Sequence, residues 1–133
     1  WVWWQGSQDP SDEFSLMEGL KTGKKYAVSK HFYRFIRPGS RMVKVVSDDA
    51  AKIFGSAFEN IGMGSFTIVL INSSESLVKL NLEGENIPEE FDYYLTTSAA
   101  ADNCTKAAEK AKKNSIVLPA SSVVTLVNGN VFE

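Results

Sequence analysis

The amino-terminal run Trp1-Val2-Trp3-Trp4 groups three indoles within four residues. An indole has a large flat apolar face and one N–H donor, which suits stacking on a sugar ring as well as packing in a core. In an extended strand, Trp1 and Trp3 share one face, while Trp4 lies on the other face with Val2. One face can therefore pack while the other meets a ligand. The pattern leaves two alternatives open: a sugar platform, or packing in a core or between domains.

Residue types that carry acid–base, nucleophilic or metal chemistry are sparse in the rest of the chain. There is one histidine, His31, and one cysteine, Cys104, which leaves no partner for a His-based metal site and no internal disulfide. We expect His31 to pack at a helix–sheet boundary and Cys104 to have no catalytic role. The carboxylates of residues 83–85 and 89–90 lie in polar turns, so they are predicted to be solvated rather than paired across a sugar. The sequence predicts no catalytic residue, no metal ligand and no cofactor.

Length and composition narrow the class of protein. The chain has 133 residues, of which 44% are hydrophobic and 23% charged, a balance typical of one globular domain. The net charge of −2 argues against nucleic-acid binding, which needs a basic surface. No apolar run approaches the roughly 20 residues of a membrane span.

One helix is expected near the amino terminus, between about Gly23 and Arg37. The helical spacing of Val28, Phe32, Phe35 and Ile36 predicts a stripe packed on one face. Thr22 can cap the first turn, since a threonine hydroxyl accepts a hydrogen bond from a free backbone N–H. Pro38 and Gly39 then disfavour further helix.

After residue 40 the hydrophobic period changes to that of strands. Regular strand spacing with turn residues between the strands indicates an antiparallel β-sandwich of about seven to eight strands, with one helix before it. A hairpin loop is expected at residues 72–76. The alanine-rich stretch Ala99–Lys113 is interpreted as a mobile surface insertion, or a short helix. The predicted strands are residues 42–46, 53–58, 66–72, 77–82, 91–97, 116–118 and 122–127.

Residues 25–41, KYAVSKHFYRFIRPGSR, resemble the last barrel helix of glycoside hydrolase family 30 and the link that follows it. This family includes glucosylceramidases, β-1,6-glucanases and glucuronoxylanases. Its pattern is a tyrosine, five intervening residues, Phe-Ser, one further residue, and then Phe-(Ile/Val)-Arg-Pro-Gly. Tyr33 stands where the pattern has serine. Residues 67–73 and 119–126 resemble two strands of the same family.

The resemblance implies a division of the chain. Residues 1–39 would be a remnant of the catalytic (β/α)8 barrel, comprising its last strand, a loop and a helix, and residues 40–133 the β-sandwich side domain. Trp4 falls where the family has an aromatic that lines the sugar pocket, and Trp1 either lines this pocket or packs beneath it. The catalytic glutamates of the family would lie upstream. The chain itself would then be non-catalytic, and would brace the barrel of a retaining glycosidase acting on β-linked glycans or glycosylceramide.

The chain lacks an initiator methionine and a signal peptide, so we expect it to be a fragment of a longer protein. Its expected partner is its own barrel, with carbohydrate as a further ligand. Without the barrel, the fragment is expected to self-associate or to donate residues 1–20 as a strand. The parent is expected to be secreted or periplasmic.

Two other classes of function stay open at this point. An independent carbohydrate-binding module would use the amino-terminal tryptophans as its platform. An immunoglobulin-like adhesion domain would bind protein, and would not need the helix of residues 23–37.

Overall fold

The structure, a computed structural model, describes residues 5–131. Most of this part of the chain forms an antiparallel β-sandwich, and one helix precedes the sandwich in sequence. The elements are β1 (Ser7–Gln8), β2 (Met17–Glu18), β3 (Lys21–Thr22), α1 (Lys24–Tyr33), β4 (Arg41–Val43), β5 (Ile53–Asn60), β6 (Ser65–Asn72), β7 (Val78–Leu80), β8 (Glu90–Thr96), β9 (Asn103–Lys106), β10 (Ala111–Lys112), β11 (Ile116–Leu118) and β12 (Ser122–Asn128).

A seven-stranded sheet forms the body of the sandwich. Its order is β10-β8-β12-β6-β5-β4, and β9 also pairs with β8. The second layer is the antiparallel pair β7–β11. Between the layers, Phe91, Ile116 and Leu126 are fully buried in the main core. The predicted mainly β sandwich is confirmed, and the structure has a strand in each of the seven predicted places.

Helix α1 covers the opposite face of the sheet. On β12, Val124 and Leu126 belong to the core between the layers, whereas Val127 packs in a second cluster with Phe35 and Tyr94. This alternation follows from the two-residue period of a strand. The rings of Phe35 and Tyr94 have centroids 4.5 Å apart. Strand β12 is thus apolar on both sides, with the core between the layers on one side and the cluster beneath α1 on the other.

The predicted helix was too long and its buried stripe was out of phase. Helix α1 ends at Tyr33 rather than Arg37, although Ile36 still donates a backbone hydrogen bond to Phe32. The buried positions are Ala27, Ser29, His31 and Phe35, whereas Val28, Phe32 and Ile36 are half-buried. A stripe based on hydrophobicity misses His31, whose burial depends on hydrogen bonds from the sheet. Phe35 was correctly expected to be buried.

The start of α1 also differs from the prediction. Gly23 occupies the N-cap position and makes no side-chain cap hydrogen bond. Thr22 belongs instead to β3, where it pairs with Met17. Strands β1, β2 and β3 form a small separate sheet that the sequence did not predict, because each strand is only two residues long. Residues 7–8 pair with 17–18, so the described part of residues 1–20 donates no strand to the sandwich.

The interpretation of Ala99–Lys113 as a mobile insertion or short helix was wrong. This stretch contains β9 and β10, and both pair with β8. Cys104 is buried, and its N–H donates a 2.8 Å hydrogen bond to Oγ1 of Thr96. Pairing with the open edge of β8 therefore outweighs the weak helix propensity of the alanines.

The loop after β6 is a crossover between layers and not the predicted hairpin. Strand β7 pairs with β11 instead of β6. The buried amide of Asn72 fixes the departure of the chain, because its Nδ2 donates to the carbonyls of Ser76 at 2.8 Å and Pro119 at 2.9 Å. These bonds turn the chain toward the second layer.

Candidate functional site

The predicted sugar-contacting residues Trp4 and Trp1 lie outside the described residues. The chain that follows them is held by main-chain hydrogen bonds: the N–H of Gln5 donates to the carbonyl of Phe14, and the N–H of Leu16 donates to the carbonyl of Gln5, both at 3.1 Å. The role of the indoles therefore stays a prediction.

His31 forms a buried polar link between α1 and the sheet. Its side chain is fully buried, with Nδ1 2.7 Å from Oγ1 of Thr125 and Nε2 2.8 Å from Oγ1 of Thr96. Oγ1 of Thr125 donates to the carbonyl of His31 at 3.4 Å and so can accept from Nδ1–H, while the Thr96 hydroxyl, which accepts the N–H of Cys104, can donate to Nε2. A neutral imidazole that donates from Nδ1 to Thr125 and accepts at Nε2 from Thr96 forms both hydrogen bonds. The expected structural role of His31 at a helix–sheet boundary is confirmed.

Burial keeps His31 and Cys104, the two residues considered above for metal binding or catalysis, in their uncharged forms. Desolvation, with a smaller contribution from the charge of Lys30, lowers the pKa of His31 to about 4. Burial also raises the pKa of the Cys104 thiol, against the opposing effect of Lys30 and Arg34. At neutral pH both groups are uncharged. Neither is poised as a base or nucleophile.

The acidic residues in the turns are solvated. Glu89 pairs with Lys113 at 2.6 Å while its side chain is 77% exposed, and residues 83, 85 and 90 are also exposed. Within residues 5–131, no group of three His, Cys, Asp or Glu side chains is arranged to hold a metal ion. The helix found in this same range is too short and too polar to cross a membrane.

An open apolar face lies beside α1 on the same side of the sheet. Val123 is paired with Thr96, which contacts His31, so Val123 points to the helix side. Phe54 and Ile71 lie in the same cross-strand row as Val123, and directly paired residues share a face. Phe54 is 48% exposed, and Ile71 and Val123 are half-buried.

The open face extends to the edge strand. Phe58 lies four residues after Phe54 on β5 and therefore points to the same face of the sheet. It pairs with Met42 of β4. Met42 is 76% exposed. We call Met42, Phe54, Phe58, Ile71 and Val123 the open face. Sequence analysis placed these residues in strands but missed the face. The available signal was that Phe54 and Phe58 alternate with the core residues Ile53 and Ala57, which makes both sides of β5 apolar.

Comparison with known proteins agrees with this architecture. No family model and no curated protein matches the chain. A family 30 endoxylanase from Clostridium papyrosolvens matches 84% of it with a TM-score of 0.69 and 26% identity. The family 30 xylanase C of Talaromyces cellulolyticus matches 92% with a TM-score of 0.69 and 25% identity. The chain resembles the C-terminal part of glycoside hydrolase family 30 enzymes. The resemblance expected from residues 25–41 is thereby confirmed.

A family 30 subfamily 8 xylanase from Clostridium acetobutylicum shows the same family 30 fold. It matches 90% of the chain with a TM-score of 0.74 and 24% identity. The chain spans 30%, 29% and 32% of the lengths of the Clostridium papyrosolvens, Talaromyces and Clostridium acetobutylicum enzymes. These solved chains are therefore about three times as long as this one.

Proposed function

We propose that this chain is the non-catalytic C-terminal region of a retaining family 30 glycosidase, in which it braces the catalytic barrel. The observation that carries the proposal is the match of 84–92% of this chain to 29–32% of family 30 xylanases. The parent would act on β-linked glycans or glycosylceramide, with the two catalytic carboxylates supplied by the barrel. As a glycan-degrading enzyme it would be secreted or periplasmic.

The proposal divides the chain at residue 39. Residues 1–39 would complete the barrel, and residues 40–133 would form the side domain. The packing of α1 supports a rigid connection between these parts, because Phe35 and His31 are buried against the sheet. An adhesion domain independent of this helix accounts for neither contact.

The open face supports the bracing role. Half-exposed Phe54 and exposed Met42 leave apolar surface of the same face in water, and covering apolar surface contributes about 25 cal/mol per Å². The half-buried helix residues Val28 and Phe32 lie along another face of α1 from the buried Ala27 and His31. We propose that barrel elements cover the open face and this side of the helix.

Paired substitutions in the intact enzyme test the bracing role. Phe54→Ser should lower the melting temperature of the intact enzyme by about 1 °C through the lost interface alone, because about 1 kcal/mol of interface burial is lost from a protein about three times the length of the chain. Leu77→Ser is the matched control, since Leu77 is 57% exposed and adjoins β7 in the opposite layer. In the isolated chain both side chains are about half exposed, so the two substitutions should cost similar amounts, about 1 kcal/mol each. Equal effects of the two substitutions in the intact enzyme would contradict the role.

We retain Trp4 and Trp1 as the proposed sugar-contacting residues. In the isolated chain all three tryptophans lie within residues 1–4, so its indole fluorescence reports on this segment alone. If the indoles form a pocket only together with the barrel, β-linked glucan, xylan and galactan fragments should leave the fluorescence of the isolated chain unchanged. Saturable quenching in the isolated chain would favour the carbohydrate-binding module instead.

A further inference from the structure

A groove of about 390 Å³ lies between α1 and the loop that precedes it. This volume falls in the range of small-ligand sites, roughly 300–1,000 Å³. The bounding side chains are half-buried or exposed except for Ser29. The groove is lined by Leu16, Tyr26, Ser29, Lys30, Tyr33 and Arg34.

The helix places two aromatic and two cationic side chains on one face. Tyr26, Lys30, Tyr33 and Arg34 follow the i, i+4, i+7, i+8 spacing. Tyr26 and Tyr33 are therefore about 10 Å apart along the helix axis, from the 1.5 Å rise per residue. That span is comparable with two linked pyranose rings. Tyr33 is also the residue at which this chain departs from the serine of the family pattern.

The charges in the groove are of one sign. Nζ of Lys30 lies 5.9 Å from the centre of the Tyr26 ring, and the guanidinium of Arg34 lies 5.6 Å from that of Phe35. Aromatic faces hold both cations in place. None of the six described residues that line the groove is acidic. The groove therefore favours an anion that also offers an apolar ring face.

We propose that this groove binds a short acidic oligosaccharide, a chain of pyranose rings that bear carboxylates. The rings stack on Tyr26 and Tyr33, and the carboxylates accept charge-assisted hydrogen bonds from Lys30 and Arg34. The described residues that line the groove all lie between residues 16 and 34. The groove lies on the side of α1 roughly opposite Val28 and Phe32, so it stays accessible when a barrel covers that stripe.

Calorimetric titration of the full 133-residue chain with three probes tests the ligand chemistry. Tetragalacturonate supplies rings and carboxylates, its fully methyl-esterified form supplies rings without charge, and short-chain polyphosphate supplies charge without rings. We expect tetragalacturonate to bind at least tenfold more tightly than either of the others. No binding of tetragalacturonate would overturn the proposal, as would equal affinity for the ester or for polyphosphate.

Substitutions locate the binding. Tyr33→Ser and Lys30→Gln should each weaken tetragalacturonate binding about tenfold, whereas Tyr33→Phe, which keeps the ring, should bind within about twofold of the unchanged chain. Lys44→Gln is the charge-matched control, because Lys44 is exposed and follows β4, away from the groove. Tyr33 is 44% exposed, so the fold tolerates its replacement, which thermal unfolding verifies. Unchanged affinity in both Tyr33→Ser and Lys30→Gln would contradict the site.

Discussion

At the scale of single residues, His31 connects α1 to β8 and β12 through the hydroxyls of Thr96 and Thr125. The neutral imidazole has one N–H donor and one acceptor nitrogen, so it can form both of these hydrogen bonds. A protonated ring would carry two donors and a charge into a site without solvent. The helix–sheet contact is therefore strongest when His31 is uncharged.

This contact makes the stability of the chain depend on pH in a defined direction. The pKa of His31 falls from 6.5 to about 4 on folding, so the unfolded chain takes up a proton first as the pH decreases. The free energy of unfolding should fall between pH 6.5 and pH 4, by about 3 kcal/mol from this group. Urea unfolding at several pH values measures it.

His31→Gln is the control for the pH dependence. His31 is the only histidine in the chain, so the substitution removes every imidazole titration. The variant should be less stable at pH 7 and should lose the additional slope between pH 6.5 and pH 5. The same slope in the variant would show that His31 does not titrate as described.

Gly129 is a second residue whose environment dictates its type. It has φ +85°, and a Cβ there would overlap the carbonyl oxygen of Gly64. Gly129→Ala should destabilise the chain by about 3 kcal/mol or more, since strain and steric overlap add. Gly64 has φ +61° with no atom near an added Cβ, so Gly64→Ala should cost only about 1–2 kcal/mol of strain. Thermal unfolding of both variants compares the two effects, and equal losses would contradict the overlap at Gly129.

At the scale of elements, sequence patterns identified strands with many alternating apolar residues and missed those without. Strands β5, β6 and β12 have seven or eight residues each and clear periodicity. Strands β9 and β10 have four and two residues, too few to show a clear period, and they are held by pairing with the preceding strand β8. Such pairing is a tertiary effect that local propensity does not contain.

In the candidate sites, too, local features could be predicted from the sequence and tertiary contacts could not. The burial of His31 was predictable from its place in a helix, but its threonine partners are 65 and 94 residues away in sequence. The open face required knowledge of cross-strand register, which joins Phe54 to Ile71 and Val123. The helix motif of residues 25–41 carried the family resemblance because it is local.

Strand β4 forms one edge of the seven-stranded sheet, with β5 as its neighbour on one side. An edge strand with exposed Met42 favours pairing with another chain. We therefore expect the isolated chain to self-associate through β4, with a mass in light scattering that rises with concentration.

Charged substitutions distinguish the edge from other apolar surface. Met42→Lys should reduce the self-association because a lysine on an edge strand opposes pairing. Ile61→Lys should leave it unchanged, since Ile61 is 69% exposed but lies in the turn between β5 and β6. A chain that is monomeric at every concentration would contradict this expectation.

At the scale of the whole molecule, the sandwich encloses its own core but leaves one face of the sheet partly open. The buried core lies between the seven-stranded sheet and the β7–β11 layer. On the other side, α1 packs on β8, β9 and β12, and the open face occupies β4, β5 and β6 with Val123 of β12. The proposed barrel contact completes this second side.

Hydroxyl-radical footprinting of the isolated chain and of the intact enzyme tests the barrel contact most directly. The method measures oxidation of side chains by solvent radicals. We expect oxidation of Phe54 to fall severalfold in the intact enzyme, while that of Leu77, in the opposite layer, stays the same. Equal oxidation of Phe54 in both forms would show that no barrel covers the open face, and would contradict the bracing role.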